Sequence, residues 1–168
     1  MRCAVGVSLD GIGEANALRV YPDGSPSLDD ALAGVRALAD AGMRCNLNAV
    51  VSRANQSFLG GLIRLAALLG NVHGVGLDMF RPIGRGENAG LAPDVETLPD
   101  DLLRMLERRA ERAALGVDIR IKELEKVRAM LQAGVRETLY CYAQTDFSAA
   151  VDPRGNLSLI HISEPTRP

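Results

Sequence analysis

The chain has 168 residues, 47% of them hydrophobic and 24% charged, and a formal net charge of −2. That length and balance suit one globular domain with a sizeable core, and they exclude a disordered chain. The near-neutral charge gives no bulk attraction to nucleic acid or to an anionic membrane, and no stretch approaches the ~18 apolar residues of a membrane span.

The first residues do not read as a secretory leader. Three cysteines, Cys3, Cys45 and Cys141, are too few and too odd in number for a secreted disulfide scaffold, and they point to a reducing, cytoplasmic setting. Cys3 and Cys45 sit in strand-like runs and read as structural. With only His73 and His161 present, a mechanism built on a histidine base has thin support.

In chain order, CAVGVSL (Cys3 to Leu9) is a β-type run, followed by a loop containing YPDGSP. SLDDALAGVRALADAG reads as a helix. Ser27 stands as its N-cap with Asp30 three residues on; Leu28, Leu32, Val35 and Leu38 recur at helical spacing, and Gly42 is the stop. RCNLNAVV, from Arg44 to Val51, is the next strand. Asn55 reads as the N-cap of a helix that runs to Leu69 and closes at Gly70. HGVGLDMF, from His73 to Phe80, is a third strand, and the loop RPIGRGENAG follows it. An amphipathic helix is expected from about Pro99 to Leu115, then a short strand in VDIRI and a helix in KELEKVRAMLQAG.

Strands alternating with helices predict an α/β fold with right-handed βαβ units and a parallel sheet. About four strands with bare edges make an incomplete sheet, and no helix precedes the first, so a fragment is expected. Period-2 alternation sets Gly6, Ser8 and Asp10 on one face of the first strand, Asn46 and Asn48 on one face of the second, and Gly76 and Asp78 on one face of the third. A parallel strand buried on both sides is normally a continuous run of Val, Ile and Leu. Polar groups repeated on one face suit strands lining a barrel mouth, where ligands bind at the carboxyl ends. The simpler alternative is that Ser8 and Asp10 end a strand and turn the chain.

Three stretches carry candidate chemistry: VSLDG (Val7 to Gly11), NLNAVVSRAN (Asn46 to Asn55) and RPIGRGE (Arg81 to Glu87). Each is weak alone, and GRG lacks the strand–turn–helix context of a phosphate loop. In order, and with Arg19 between the first two, they resemble the radical SAM superfamily, in the branch with a SPASM or twitch extension. The resemblance covers Cys3 to about Asn156. It implies the C-terminal part of a partial (β/α)6 TIM-type barrel, followed by the start of a SPASM-like β-hairpin region. It also implies S-adenosylmethionine and a 4Fe-4S cluster as cofactors, a 5′-deoxyadenosyl radical, and a peptide or protein as substrate. The family holds its cluster on Cys-x3-Cys-x2-Cys, which occurs nowhere in the chain. The expectation is that roughly three βα units, each of about 30 residues, precede this sequence in the parent protein, and that the chain as written cannot hold the cluster.

Carried over to this numbering, Ser8 matches the serine that contacts the methionyl part of S-adenosylmethionine, and Asp10 orders the same loop. Arg19 fits the arginine that pairs with the cofactor carboxylate, a task suited to a guanidinium. Asn48 either reaches the ribose or is a satisfied polar group of the barrel lining. Ile83 would lie beside the adenine, and Arg85 is either a site residue or a solvated loop arginine. Asp78 is the candidate acid or base.

SPASM domains open with Cys, about a dozen residues, Gly, four residues and a second Cys; a hairpin with a turn of the Asp-Pro-x-Gly kind fits that segment. Here Cys141 precedes Gly155 by thirteen intervening residues, but Ile160 occupies the place of the second cysteine. The resemblance implies Cys141 as a ligand of an auxiliary Fe–S cluster. The tail LSLIHISEPTRP resembles the conceptual translation of a transposase-type sequencing adapter, against the alternative of a genuine extension packing Ile160 and Ile162 on the hairpin. The expected division is 1–121 for the barrel half, 122–140 for a linking helix, 141–156 for the start of the SPASM-like region and 157–168 for the appended tail. Two other readings stand beside the enzyme. One is a cluster-less degenerate barrel that binds a peptide or partner. The other is a lyase or aldolase fragment, which Lys122 and Lys126, placed on an expected helix, do not favour.

Overall fold

The computed structural model describes residues 5–82, 87, 89–134, 150–151 and 157–158. Two compact units divide the chain, 1–125 and 126–168. In the first, β1 (Val5–Ser8), β2 (Cys45–Val51), β3 (Val72–Met79) and β4 (Arg120–Ile121) form a parallel sheet in the order β1-β2-β3-β4. Between them run α1 (Leu28–Asp40), α2 (Leu59–Leu69) and α3 (Leu98–Ala114), and α4 (Lys122–Gln132) follows β4 directly. The α/β class and the parallel strands are those the alternation predicts.

The core sits on one face of the sheet. In β2, Cys45, Leu47, Ala49 and Val51 are buried while Asn48 and Val50 are exposed, the period-2 pattern of a sheet with one covered face. Against that covered face pack Val35 of α1, Leu59, Leu62, Ile63 and Ala66 of α2, and Met105 of α3. The apolar residues of α2 recur three and four apart, which turns one stripe to the sheet. Gly70, at φ +73, ends α2 in a conformation that side-chain-bearing residues rarely adopt. Pro99 falls in the first turn of α3, where its missing N–H costs nothing.

Three expectations need correction. Asn55 does not begin the second helix. A 3-10 turn, Gln56–Phe58, precedes α2, and Asn55 caps neither element with its side chain. Its Oδ1 accepts from Ser52 N at 2.7 Å and its Nδ2 donates to Val50 O at 2.8 Å, because the end of β2 has backbone groups left without ladder partners. Ser27 occupies the position before α1, but its hydroxyl donates to Arg19 O at 3.0 Å rather than accepting from the helix. The VDIRI strand shrinks to Arg120–Ile121, since only Gly74 and Val75 of β3 offer it pairing.

Within 126–168, β5 (Ala150–Val151) and β6 (Leu157–Ser158) pair antiparallel, Ala150 with Ser158 and Val151 with Leu157. The DPRGN segment between them, Cys3, Cys141 and the remainder of the tail lie outside the described residues. No helix among the described residues is long and apolar enough to cross a membrane.

Leu47→Ala and Leu62→Ala, each at a fully buried position, are expected to cost about 2–5 kcal/mol of unfolding free energy in urea titrations. Leu68→Ala, at a position 81% exposed, is expected to stay within about 0.5 kcal/mol of the parent.

Candidate functional site

The face of the sheet opposite the helices is polar, and strand register arranges it in rows. Gly6, Asn46, Gly74 and Arg120 stand side by side across the four strands; Ser8, Asn48 and Gly76 form the next row; Val50 and Asp78 form a third. Neighbours in one row of a parallel sheet point to the same side. The glycines are explained by their neighbours. A methyl group on Gly6 would lie 2.5 Å from Asn48 Nδ2, one on Gly76 2.9 Å from Asn48 Oδ1, and one on Gly74 2.7 Å from Asn46 Oδ1. The two amides thus lie across adjacent strands in space that only glycine leaves free.

At the carboxyl edge the loops close over short polar bonds. Leu9 N donates to Asn48 O at 2.9 Å and extends the ladder by one step. The Asp10 side chain then takes over: Oδ1 accepts from Val50 N at 2.7 Å and from Arg19 Nη2 at 2.8 Å, while the Asp10 N–H donates to Asn16 Oδ1 at 2.9 Å. Gly11 follows at φ +153, and a methyl there would meet Ala15 Cβ at 2.6 Å. The glycine of VSLDG therefore answers to a steep turn and a close approach together. Asp10 and Asn16 are buried, and Arg19 keeps 24% of its side chain exposed. Arg19 Nε is buried and has no hydrogen-bond partner among the described residues. The residue Arg19 borders a cavity of about 410 Å³ together with Asp10, Val50, Ser52, Phe80 and Leu91. Asp78 lines a neighbouring cavity of about 410 Å³ with Val50, Met79, Phe80 and Arg81.

The structure thus brings together Asp10 and Arg19 as an ion pair, and Ser8, Asn48 and Asp78 on one polar face. Arg19 directs one guanidinium nitrogen to Asp10, a partner the sequence reading did not give it. Ile83, Arg85 and Cys141 lie outside the described residues. Cys45 is buried on the helix-covered face and burial pushes its thiol up, so it is a core side chain. Among the described residues no group of three or more His, Cys, Asp and Glu side chains could hold a metal ion. Sequence reasoning missed Asn16 and the buried Gln56, whose Nε2 binds Thr97 Oγ1 at 2.8 Å and Asp101 Oδ2 at 3.0 Å. Both belong to irregular turns, where no period marks a buried amide.

No model of a known family matches the chain, and no curated protein matches it.

Asp10→Ala leaves the Val50 N–H and the Arg19 guanidinium without their shared acceptor. The expected loss is about 1–3 kcal/mol of stability by urea unfolding, with Asp10→Asn less severe because an amide oxygen can still accept from Val50. For Cys45 the sign follows from its raised pKa. The contribution to stability is intact below the ordinary thiol value, about 8.5, and is lost as pH rises through it toward the folded value. In a Cys3→Ser, Cys141→Ser background, iodoacetamide at pH 8 or so is expected to spare Cys45 in the native protein and to label it in denaturant, read by peptide mass spectrometry.

Proposed function

We propose that the chain is part of a radical SAM enzyme with a SPASM- or twitch-type extension, acting in the cytoplasm on a peptide or protein. In this reading the parallel sheet is the C-terminal part of a partial (β/α)6 barrel, and β5 falls in the start of the SPASM-like region, 141–156, while β6 falls in the appended tail, 157–168. One observation carries it. Ser8, Asn48 and Asp78 share the uncovered face, and Asp10 with Arg19 closes the carboxyl edge, which is the end of parallel strands where ligands bind.

The two implied cofactors fit this chain differently. A 4Fe-4S cluster does not fit: the described cysteine, Cys45, is buried in the core, and the sequence has no Cys-x3-Cys-x2-Cys. S-adenosylmethionine does fit. The orphaned Nε of Arg19 faces a need for an acceptor, and a cofactor carboxylate supplies one. When bound, S-adenosylmethionine is the source of the hydrogen-abstracting group in this family. The chain's own part is to hold and orient it. Arg19, fixed by Asp10, binds the carboxylate. The Ser8 hydroxyl contacts the methionyl portion, Asn48 offers an amide toward the ribose, and Ile83 is assigned beside the adenine. Asp78 is the carboxylate available for proton transfer to or from substrate. Cys141 is assigned to an auxiliary Fe–S cluster.

A cluster-less peptide- or partner-binding module is the second reading. The lack of a cysteine triplet in the sequence favours it. One experiment separates the two. The protein expressed from the uninterrupted genomic reading frame, reconstituted anaerobically with iron and sulfide, is expected to carry Cys-x3-Cys-x2-Cys and to absorb near 400 nm or so, as thiolate-bound clusters do. It is also expected to bind S-adenosylmethionine, with Arg19→Ala weakening binding about tenfold or more by calorimetry. An intact frame without the cysteine triplet, or binding that Arg19→Ala leaves unchanged, overturns the enzyme reading.

A further inference from the structure

Two walls of the cavity beside Arg19, Ser52 and Leu91, come from different loops. The chain after β3 is pinned to the exit of β2 at two points: Phe80 N donates to Val51 O at 2.8 Å, and Arg53 N donates to Leu91 O at 3.0 Å. Behind both walls sits Gln56, a polar side chain only 4% exposed. We propose that Gln56 is a positioning residue for the ligand site, fixing Leu91 and Ser52 around Arg19 without touching the ligand. The identity of that ligand rests on the cofactor reading above; the anchoring of the two walls does not.

Three observations carry the assignment. The Gln56 side chain spends its hydrogen bonds on the segment that follows Leu91. Oε1 accepts from Asp94 N at 2.7 Å, and Nε2 donates to Thr97 Oγ1 at 2.8 Å and Asp101 Oδ2 at 3.0 Å, with Asp94 O at 3.4 Å. An amide that meets both the N–H and the C=O of one residue stands in for a neighbouring strand, and residues 91–94 belong to no helix or strand. The second observation is that the Gln56 backbone N–H donates to Ser52 O at 3.0 Å, so a single residue links the two walls. The third is that the anchor is itself held. Asp101 is buried, and Arg104 Nη2 occupies its Oδ1 at 2.6 Å, which leaves Oδ2 to Gln56.

A line of bonds therefore runs from α3 through Gln56 to Asp94, just beyond Leu91 in the chain. Without it Leu91 keeps the bond from Arg53, but the chain beyond loses its hold. A wall that must be ordered when the ligand arrives costs affinity that a wall already in place does not.

The test uses the protein from the uninterrupted genomic frame, reconstituted as above. S-adenosylmethionine binding is read by calorimetry, and amide exchange without ligand by mass spectrometry. Gln56→Leu keeps the volume and removes every side-chain bond. It is expected to weaken binding about tenfold and to speed exchange across Leu91–Val95 ahead of β2 and β3. Gln56→Glu combined with Asp101→Asn returns an acceptor to Asp94 N and reverses the polarity of the 56–101 bond. This pair is expected to bind within about threefold of the parent. Ile63→Val, a fully buried change in α2, lowers stability without reaching the loop and is expected to leave affinity unchanged. Binding that Gln56→Leu leaves unchanged overturns the proposal. So does a loss that the paired substitution fails to restore, or one that Ile63→Val reproduces. A parent that binds no S-adenosylmethionine overturns the enzyme reading instead. The exchange pattern then decides the anchor by itself, and acceleration no greater at Leu91–Val95 than in β2 refutes it.

Discussion

The sheet's central strands outrun their neighbours, and the rest of the candidate site follows from how that mismatch is resolved. β2 has seven residues and β3 eight, whereas β1 has four and β4 two. Beyond the last shared pair, peptide groups of β2 and β3 face positions where no partner strand continues. An unmatched buried peptide group costs about 1–3 kcal/mol, so each needs a substitute. Carboxylates supply two of them. Asp10 Oδ1 accepts from Val50 N at 2.7 Å where β1 has ended, and Glu123 Oε2 accepts from Leu77 N at 2.8 Å where β4 has turned into α4. Asn55 supplies a third, reaching back to Val50 O. Acidic and amide side chains gather at this edge because the ladder ends there. The same carboxylate that finishes the ladder is then in place to fix Arg19.

The two faces of the sheet obey different demands. On the covered face the helices require volume, and Leu47, Val51, Val75 and Leu77 supply it. On the open face the rows require thinness at alternate strands. Asn46 and Asn48 project from β2 and lean over its neighbours, so Gly6, Gly74 and Gly76 are where a side chain cannot go. A parallel sheet normally has helices on both faces. Here the uncovered face has exchanged hydrophobic bulk for a lattice of amides and glycines that cannot pack a helix without burying unpaired donors.

These distinctions set how much could be read in advance. The α/β class, the strand order along the chain and the polar faces were legible, because alternation at period two and at period 3.6 depends only on burial. Gly76 with Asp78 and Asn46 with Asn48 were readable as shared faces for that reason. Register was not, since it is set by pairing across strands. That is why Arg120 could not be joined to Asn46 beforehand. The two capping expectations failed for a related cause. Ser27 and Asn55 have the right chemistry for helix N-caps, but their hydrogen-bonding groups are drawn to carbonyls and amides of distant or preceding segments that a local pattern does not see. Asn16, six residues beyond Asp10 inside an irregular turn, gave no periodic sign of its burial.

The Asp10–Arg19 pair makes the proposed cofactor role a matter of valence rather than simple availability. A guanidinium offers five N–H donors, and the bond to Asp10 occupies Nη2 alone. Nε stays buried and unmatched, in a residue that lines a cavity of about 410 Å³. A residue in that state is already oriented: its side-chain entropy has been lost on folding, held by an aspartate that is itself held by Val50 and Asn16. An incoming carboxylate then meets a donor whose unpaired cost is relieved on binding, which favours association without further ordering. The same arrangement couples the two residues. Asp10 acts on a ligand only through the position of Arg19, so in the proposed enzyme the effect of removing Asp10 on binding should vanish once Arg19 is gone. Independent ligand contacts would instead give additive losses, and a double-mutant cycle distinguishes the two.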